Sequence, residues 1–183
     1  MIFNNIIEER AEKLLKDSNC FSIPVKLLDC ASYLNIDIKE MDIEDSISGF
    51  VAINGKNVQI GVNKNHSSQR QRFTIAHEIG HFALHSQSEQ LFVDKNDNNA
   101  ATYLFRDEKS ASGEYIKERE ANSFAAALLM PKKMINEEIV KIEKSLSLSK
   151  ITELLAHKFE VSTQAMSIRL SRLGYFDYDN AYE

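Results

Sequence analysis

The sequence of 183 residues predicts an α+β fold, and three observations carry that prediction. Apolar residues recur at helical spacing near both ends of the chain. Between residues 36 and 62 the period switches to two, with an Asn-Gly pair between two β-rich runs. A long helical pattern follows at once, so a small antiparallel sheet packed on that helix is expected.

Ile6, Ile7, Arg10, Ala11, Leu14 and Leu15 define a first amphipathic helix. Pro24 suits the first turn of a second, whose apolar face is Val25, Leu27, Leu28, Ala31 and Leu34. Ile36-Asp37-Ile38 alternates, as a strand does. Phe50–Ile53 and Val58–Val62 flank Asn54-Gly55, a pair that tolerates positive φ and so favours a tight hairpin. Ser67 or Ser68 caps the next helix, which runs to about His85.

Residues 86–112 are polar and irregular; Leu91–Val93 and Thr102–Phe105 are placed to pair as a second hairpin. A helix from about Glu114 to Met130 stops at Pro131. Shorter helices are expected near 132–144, 149–159 and 162–173, with Ser162 as a cap and Gly174 as the C′ residue of the last. The chain divides into a body of residues 1–145 and a helical extension of residues 146–183, packed on the same domain.

Composition narrows the function classes. Hydrophobic residues make up 43% and charged residues 27%, enough apolar material for an ordinary globular core. A formal net charge of −5 argues against a surface built mainly to embrace nucleic acid. No apolar run approaches the ~20 residues that span a bilayer, and the N-terminus lacks a basic start and long apolar stretch. A cytoplasmic location follows as the expectation. Cys20 and Cys30 have neither metal-ligand spacing nor an oxidising compartment, and read as small buried thiols.

His77-Glu78-Ile79-Gly80-His81 is the motif that carries chemistry. On a helix the two histidines lie one turn apart on one face, where both imidazoles can bind a single Zn²⁺. Glu78 lies one position round and can serve as general base toward water acidified by the metal. A catalytic zinc usually takes a third protein ligand and keeps one position open. The helix near Glu118–Pro131 offers Glu118 and Glu120. Glu118 shares a face with Ala121, Asn122, Ala125 and Leu129, where small alanines permit close approach, whereas Glu120 points about 160° away. Glu118 is therefore the favoured ligand. Asn122, at i+4, can hydrogen-bond a ligand histidine. His85 continues the i+4 series but drifts about 40° further round per step, which suits support rather than ligation. His85, His66, Tyr103, Arg106 and Tyr115 remain open as oxyanion donors. Arg70 and Arg72 read as a solvated helix start, and the Phe50–Ile53 strand, if it lies at a sheet edge, could hold extended substrate by β-addition.

At this point the chain resembles the ImmA/IrrE-type zinc metallopeptidases. The likeness rests on Phe73–His81 with His85, on Glu118–Pro131, on Ile23-Pro24-Val25, Ser48-Gly49-Phe50 and Arg106–Ser110, and on Val161–Met166 with Arg169-Leu170 and Leu173-Gly174. The resemblance implies a compact zincin-like fold, one Zn²⁺ per chain held by His77, His81 and Glu118, and Glu78 as base. It also implies a protein substrate, a helix-turn-helix repressor or antitoxin, whose cleavage relieves repression in a mobile-element, phage or stress response.

Two rival readings accompany it. One is a metal-containing sensor or co-regulator that sequesters a transcriptional regulator without cutting it. The other uses the last two helices, outlined like a helix-turn-helix, to read DNA through Thr163, Gln164, Ser167, Arg169 and Arg172. The segment is only weakly basic, which argues against direct nucleic-acid binding, and nothing in the sequence sets an oligomeric state.

Overall fold

In a computed structural model, residues 2–54, 56–85, 91–95, 113–143 and 145–175 are described. The expected α+β architecture is present. Helices α1 (Ile2–Asp17) and α2 (Leu27–Tyr33) precede strands β1 (Ile36–Met41), β2 (Ile47–Asn54) and β3 (Asn57–Asn63). Helix α3 (Ser68–His85) carries the motif and leads to β4 (Leu91–Lys95). Helices α4 (Gly113–Leu129), α5 (Lys132–Ile139), α6 (Leu148–Phe159) and α7 (Thr163–Arg172) complete the described chain.

The sheet has the order β1-β3-β2-β4; it corrects one expectation and settles one condition. It is mixed rather than antiparallel, because β1 runs parallel to β3, with Ile36 opposite Val58 and Met41 opposite Asn63. β2 is not an edge either: it pairs antiparallel with β3 on one side and with β4 on the other, Val51 opposite both Ile60 and Phe92. Both rows of its backbone groups are thus occupied, and β-addition to Phe50–Ile53 is ruled out. Among the described residues, β1 and β4 are the outermost strands. Gly55, and the expected partner of Leu91–Val93 at Thr102–Phe105, lie outside the described residues.

Side chains from nearly every element meet in one apolar cluster that includes Leu15, Cys30, Val51, Ile60, Ile79, Phe124, Phe159 and Leu170. Fully burying a side chain of this size is worth about 1.5–3 kcal/mol, so the cluster dominates the packing. One face of the sheet rests on α3, whose other side rests on α4. Gly49 makes the first approach possible: a Cβ there would lie 2.4 Å from the Thr74 methyl of α3.

Helix ends obey local chemistry. Ser67 Oγ accepts from the Arg70 amide (3.4 Å), Ser147 Oγ from Lys150 (3.3 Å) and Ser162 Oγ from Ala165 (3.1 Å). At the end of α7, Gly174 N–H donates to Ser171 O and Tyr175 N–H to Leu170 O, the two bonds of a Schellman ending, with Gly174 at φ +80°. The second helix starts later than expected. Pro24, joined to Ile23 by a cis bond, lies before α2 and not in its first turn. Cys20 and Cys30 are buried free thiols, and burial pushes the Cys30 thiol up to about 12, which leaves it a poor nucleophile.

Two arginines read as solvated, and a third offered as a DNA contact, are instead structural. Arg70 donates to Ser48 Oγ of β2 at 2.9 Å. Arg72 donates to the Val25 carbonyl at 3.0 Å and contacts the Glu160 carboxylate at 3.4 Å, tying the start of α3 to the turn between α6 and α7. Arg169 is 4% exposed and Ser167 1% exposed, so neither belongs to an outward reading face on α7. The DNA-reading arrangement loses its central cation.

Candidate metal centre

Helix α3 places Thr74 through His81 in the interior as an unbroken buried run. His77 and His81, four residues apart, stand on the same face with ring centroids 4.6 Å apart. Their Nε2 atoms are 3.0 Å from one another. Glu118, from α4, closes the group: Oε2 lies 3.2 Å from His77 Nε2, and Oε1 lies 3.0 Å from His81 Nε2. Both imidazoles are buried, whereas the Glu118 side chain is 42% exposed, so the cluster opens to solvent on the α4 side.

The close passage of the two helices is what brings Glu118 within reach. At Gly80 a Cβ would meet the Ala121 carbonyl oxygen at 3.1 Å and the Ala121 Cα at 3.2 Å. These are backbone atoms of a packed helix and yield little. Gly80→Val is therefore expected to force α4 outward, to lower stability by about 1–3 kcal/mol, and to separate Glu118 from the histidines. Denaturant unfolding checks the loss of stability. An unchanged unfolding midpoint would show that the helices have slack.

His77 Nδ1 is 3.0 Å from Asn122 Oδ1, the contact expected of a residue one turn beyond Glu118. With Nδ1–H donating there, His77 Nε2 presents its lone pair to the other two donors. Burial raises the Glu118 carboxyl, but its contacts with His77 and His81 outweigh that and hold it well below the usual carboxylate range. Burial lowers His81, aided by His77 and His85 and opposed by Glu118. An ionised Glu118 carboxylate and a His81 imidazole biased toward the neutral form are protonation states that suit a divalent cation.

Converging lone pairs and a carboxylate, in a largely buried setting, call for a cation. Among the described residues, His77, His81 and Glu118 form the group able to hold a metal ion, with all donor atoms within 4.8 Å of one another. Tetrahedral ligation at zinc–nitrogen and zinc–oxygen distances sets donors about 3.3–3.5 Å apart. The observed separations of 3.0–3.2 Å fit within a few tenths of an ångström.

The remaining candidates fall into place around this cluster. Glu78 is fully buried beside His77. Glu120 is not a solvated charge: its Oε2 lies 3.4 Å from His85 Nε2, away from the donor cluster. The His85 ring is 5.7 Å from that of His81, and its Nε2 also faces the Lys117 carbonyl at 3.3 Å. Tyr115 sits one turn before Glu118 with the Arg119 guanidinium 5.9 Å from its ring centroid. His66 lies in the turn before α3, its amide bonded to Asn63 O. Tyr103 and Arg106 lie outside the described residues. The link from His85 to α4 was missed in the sequence, although His85 continues the His77/His81 spacing and Glu120 follows Glu118 by two.

Residues 31–171 match the model of the IrrE N-terminal-like domain, peptidase family M78. The chain belongs to this peptidase family. The matched span contains both halves of the His-His-Glu cluster. Over 129 residues the chain is 29% identical to "Uncharacterized immunity region protein 2" of Bacillus phage phi105, covering 70% of this chain and 69% of that protein. Over 112 residues it is 30% identical to "Metallopeptidase ImmA" of Bacillus subtilis strain 168, covering 61% of this chain and 56% of that protein. The chain thus spans little more than half the length of that metallopeptidase. No helix among the described residues is long and apolar enough to cross a membrane.

Proposed function

We propose that the chain is a zincin-like, zinc-dependent endopeptidase that hydrolyses a peptide bond in a DNA-binding regulator of helix-turn-helix type, a repressor or antitoxin. The observation that carries this reading is the convergence of His77, His81 and Glu118 beside a buried Glu78. Family membership and similarity to a metallopeptidase and to a phage immunity-region protein support it. In this reading one Zn²⁺ per chain is held by His77, His81 and Glu118, with Asn122 orienting His77. We read residues 146–183 as an extension packed on the 1–145 body and the protein as cytoplasmic.

When bound, the ion supplies Lewis-acid polarisation of the scissile carbonyl and acidifies water. Glu78 accepts the proton of the attacking water at its carboxylate and returns it to the leaving amide nitrogen. Asn122 holds the His77 ring so that Nε2, not Nδ1, faces the cluster. The half-exposed side of Glu118 marks the direction from which a peptide enters.

Metal content separates the two glutamates. Glu118→Ala is expected to weaken Zn²⁺ binding by at least about 100-fold, while Glu120→Ala costs no more than about tenfold. A chelator-competition titration reads both. Equal affinities in the two variants would overturn Glu118 as a ligand.

The function itself is tested by co-expression with helix-turn-helix regulators drawn from the same genome, followed by intact-mass spectrometry of each regulator. Two complementary fragments that vanish when the purified reaction is treated with a chelator are expected. Relief of repression with the regulator intact would favour the sequestering co-regulator instead.

A further inference from the structure

Beyond the donor cluster, α3 and α4 share a second polar contact. His85 is the last residue of α3, and only 8% of its side chain is exposed. Its Nε2 faces two acceptors on α4: the Lys117 carbonyl oxygen at 3.3 Å and Glu120 Oε2 at 3.4 Å. Those two residues bracket Glu118, one before it and one two places after. The Glu118 side chain is itself 42% exposed, so apolar packing does little to fix its carboxylate. The close passage at Gly80 fixes α4 at Ala121, and the His85 contacts fix it at the residues on either side of Glu118.

We propose that His85 is a positioning residue for Glu118: its Nε2–H, donated to the Lys117 carbonyl with the Glu120 carboxylate alongside, pins residues 117–120 of α4 to the end of the motif helix and so sets the third ligand against His77 and His81. His85 is not itself one of the three donors in this arrangement; it acts through the backbone of α4. This explains why a third histidine continues the i+4 series without joining the cluster, and why Glu120 is turned toward α3. The inference rests on the metal-site reading.

The test is a double-mutant cycle read as Zn²⁺ affinity by competition with a chromophoric chelator, using the full chain. His85→Phe preserves the ring's bulk and removes the donor. It is expected to weaken Zn²⁺ about tenfold, the lower end of what partners of ligand residues contribute. His85→Gln places an amide N–H near the original Nε2 and should stay within about threefold of the wild type. In a Glu118→Ala background, His85→Phe should change the residual affinity little, because nothing remains for it to position. An equal loss in both backgrounds, or no loss in either, overturns the proposal. Failure of the wild type to bind Zn²⁺ would instead overturn the metal-site reading, so the two failures are distinguishable.

Discussion

Glu78→Gln should lower peptide-bond hydrolysis by about 10³-fold, within the range expected for loss of a general base, while leaving Zn²⁺ content and folding stability intact. The reasoning starts from volume. Glu78 is fully buried on α3, and glutamine is nearly isosteric, so no cavity opens and no clash arises. Charge is next: a neutral amide in a buried position carries a smaller desolvation cost than a carboxylate, which protects stability. Chemistry comes last. An amide has no basic oxygen able to take a proton from water near neutral pH, so the proton transfer loses its acceptor. The measurement pairs a cleavage time course with metal analysis and thermal unfolding of one preparation. Retention of more than about a tenth of the wild-type rate would remove Glu78 from the base role. Loss of metal along with activity would make it a determinant of the site instead.

The parts of the site that were legible in the sequence are those set by geometry within one helix. His77 and His81 converge because four residues make one turn, and Glu118, Asn122 and Ala125 share a face for the same reason. Capping serines and the Gly174 ending were legible because each is satisfied within a few residues. Sheet order was not. The parallel pairing of β1 with β3 and the second neighbour of β2 depend on segments distant in sequence, which a period of two cannot reveal. Charged residues failed for a related reason. Arg72 and Arg169 sit in helical patterns that look solvent-facing, and only their distant partners show otherwise: Val25 and Glu160 for the first, Glu8 and Met130 for the second. Glu120 belongs with them, since its relation to His85 crosses between helices.

Arg169→Leu is expected to destabilise the fold by about 3 kcal/mol, the lower part of the range for breaking a buried ion pair. For a chain of this size that shifts the thermal midpoint down by about 6–12 °C. The guanidinium is buried and serves three acceptors. Nε donates to the Met130 carbonyl at 3.0 Å, Nη2 donates to Glu8 Oε2 at 2.8 Å, and Nη1 donates to Glu8 Oε1. One side chain on α7 thus ties down the carbonyl just past α4 and the first helix of the chain. Leucine fills much of the space but leaves the Met130 carbonyl, at a residue 1% exposed, without this donor. It also strands the Glu8 carboxylate. Because that carboxylate is 32% exposed, water recovers part of its loss, which holds the estimate below the upper range. Arg169→Lys should rescue little, since an ammonium cannot reproduce the forked geometry toward two residues. Glu8→Gln should cost less than Arg169→Leu, and the double variant should cost less than the sum of the two. Strict additivity would show that the ion pair contributes nothing. The same variants bear on function: an arginine consumed in this way holds α7 against α1 and the end of α4, and α7 cannot lend that charge to a phosphate backbone without giving up the contact.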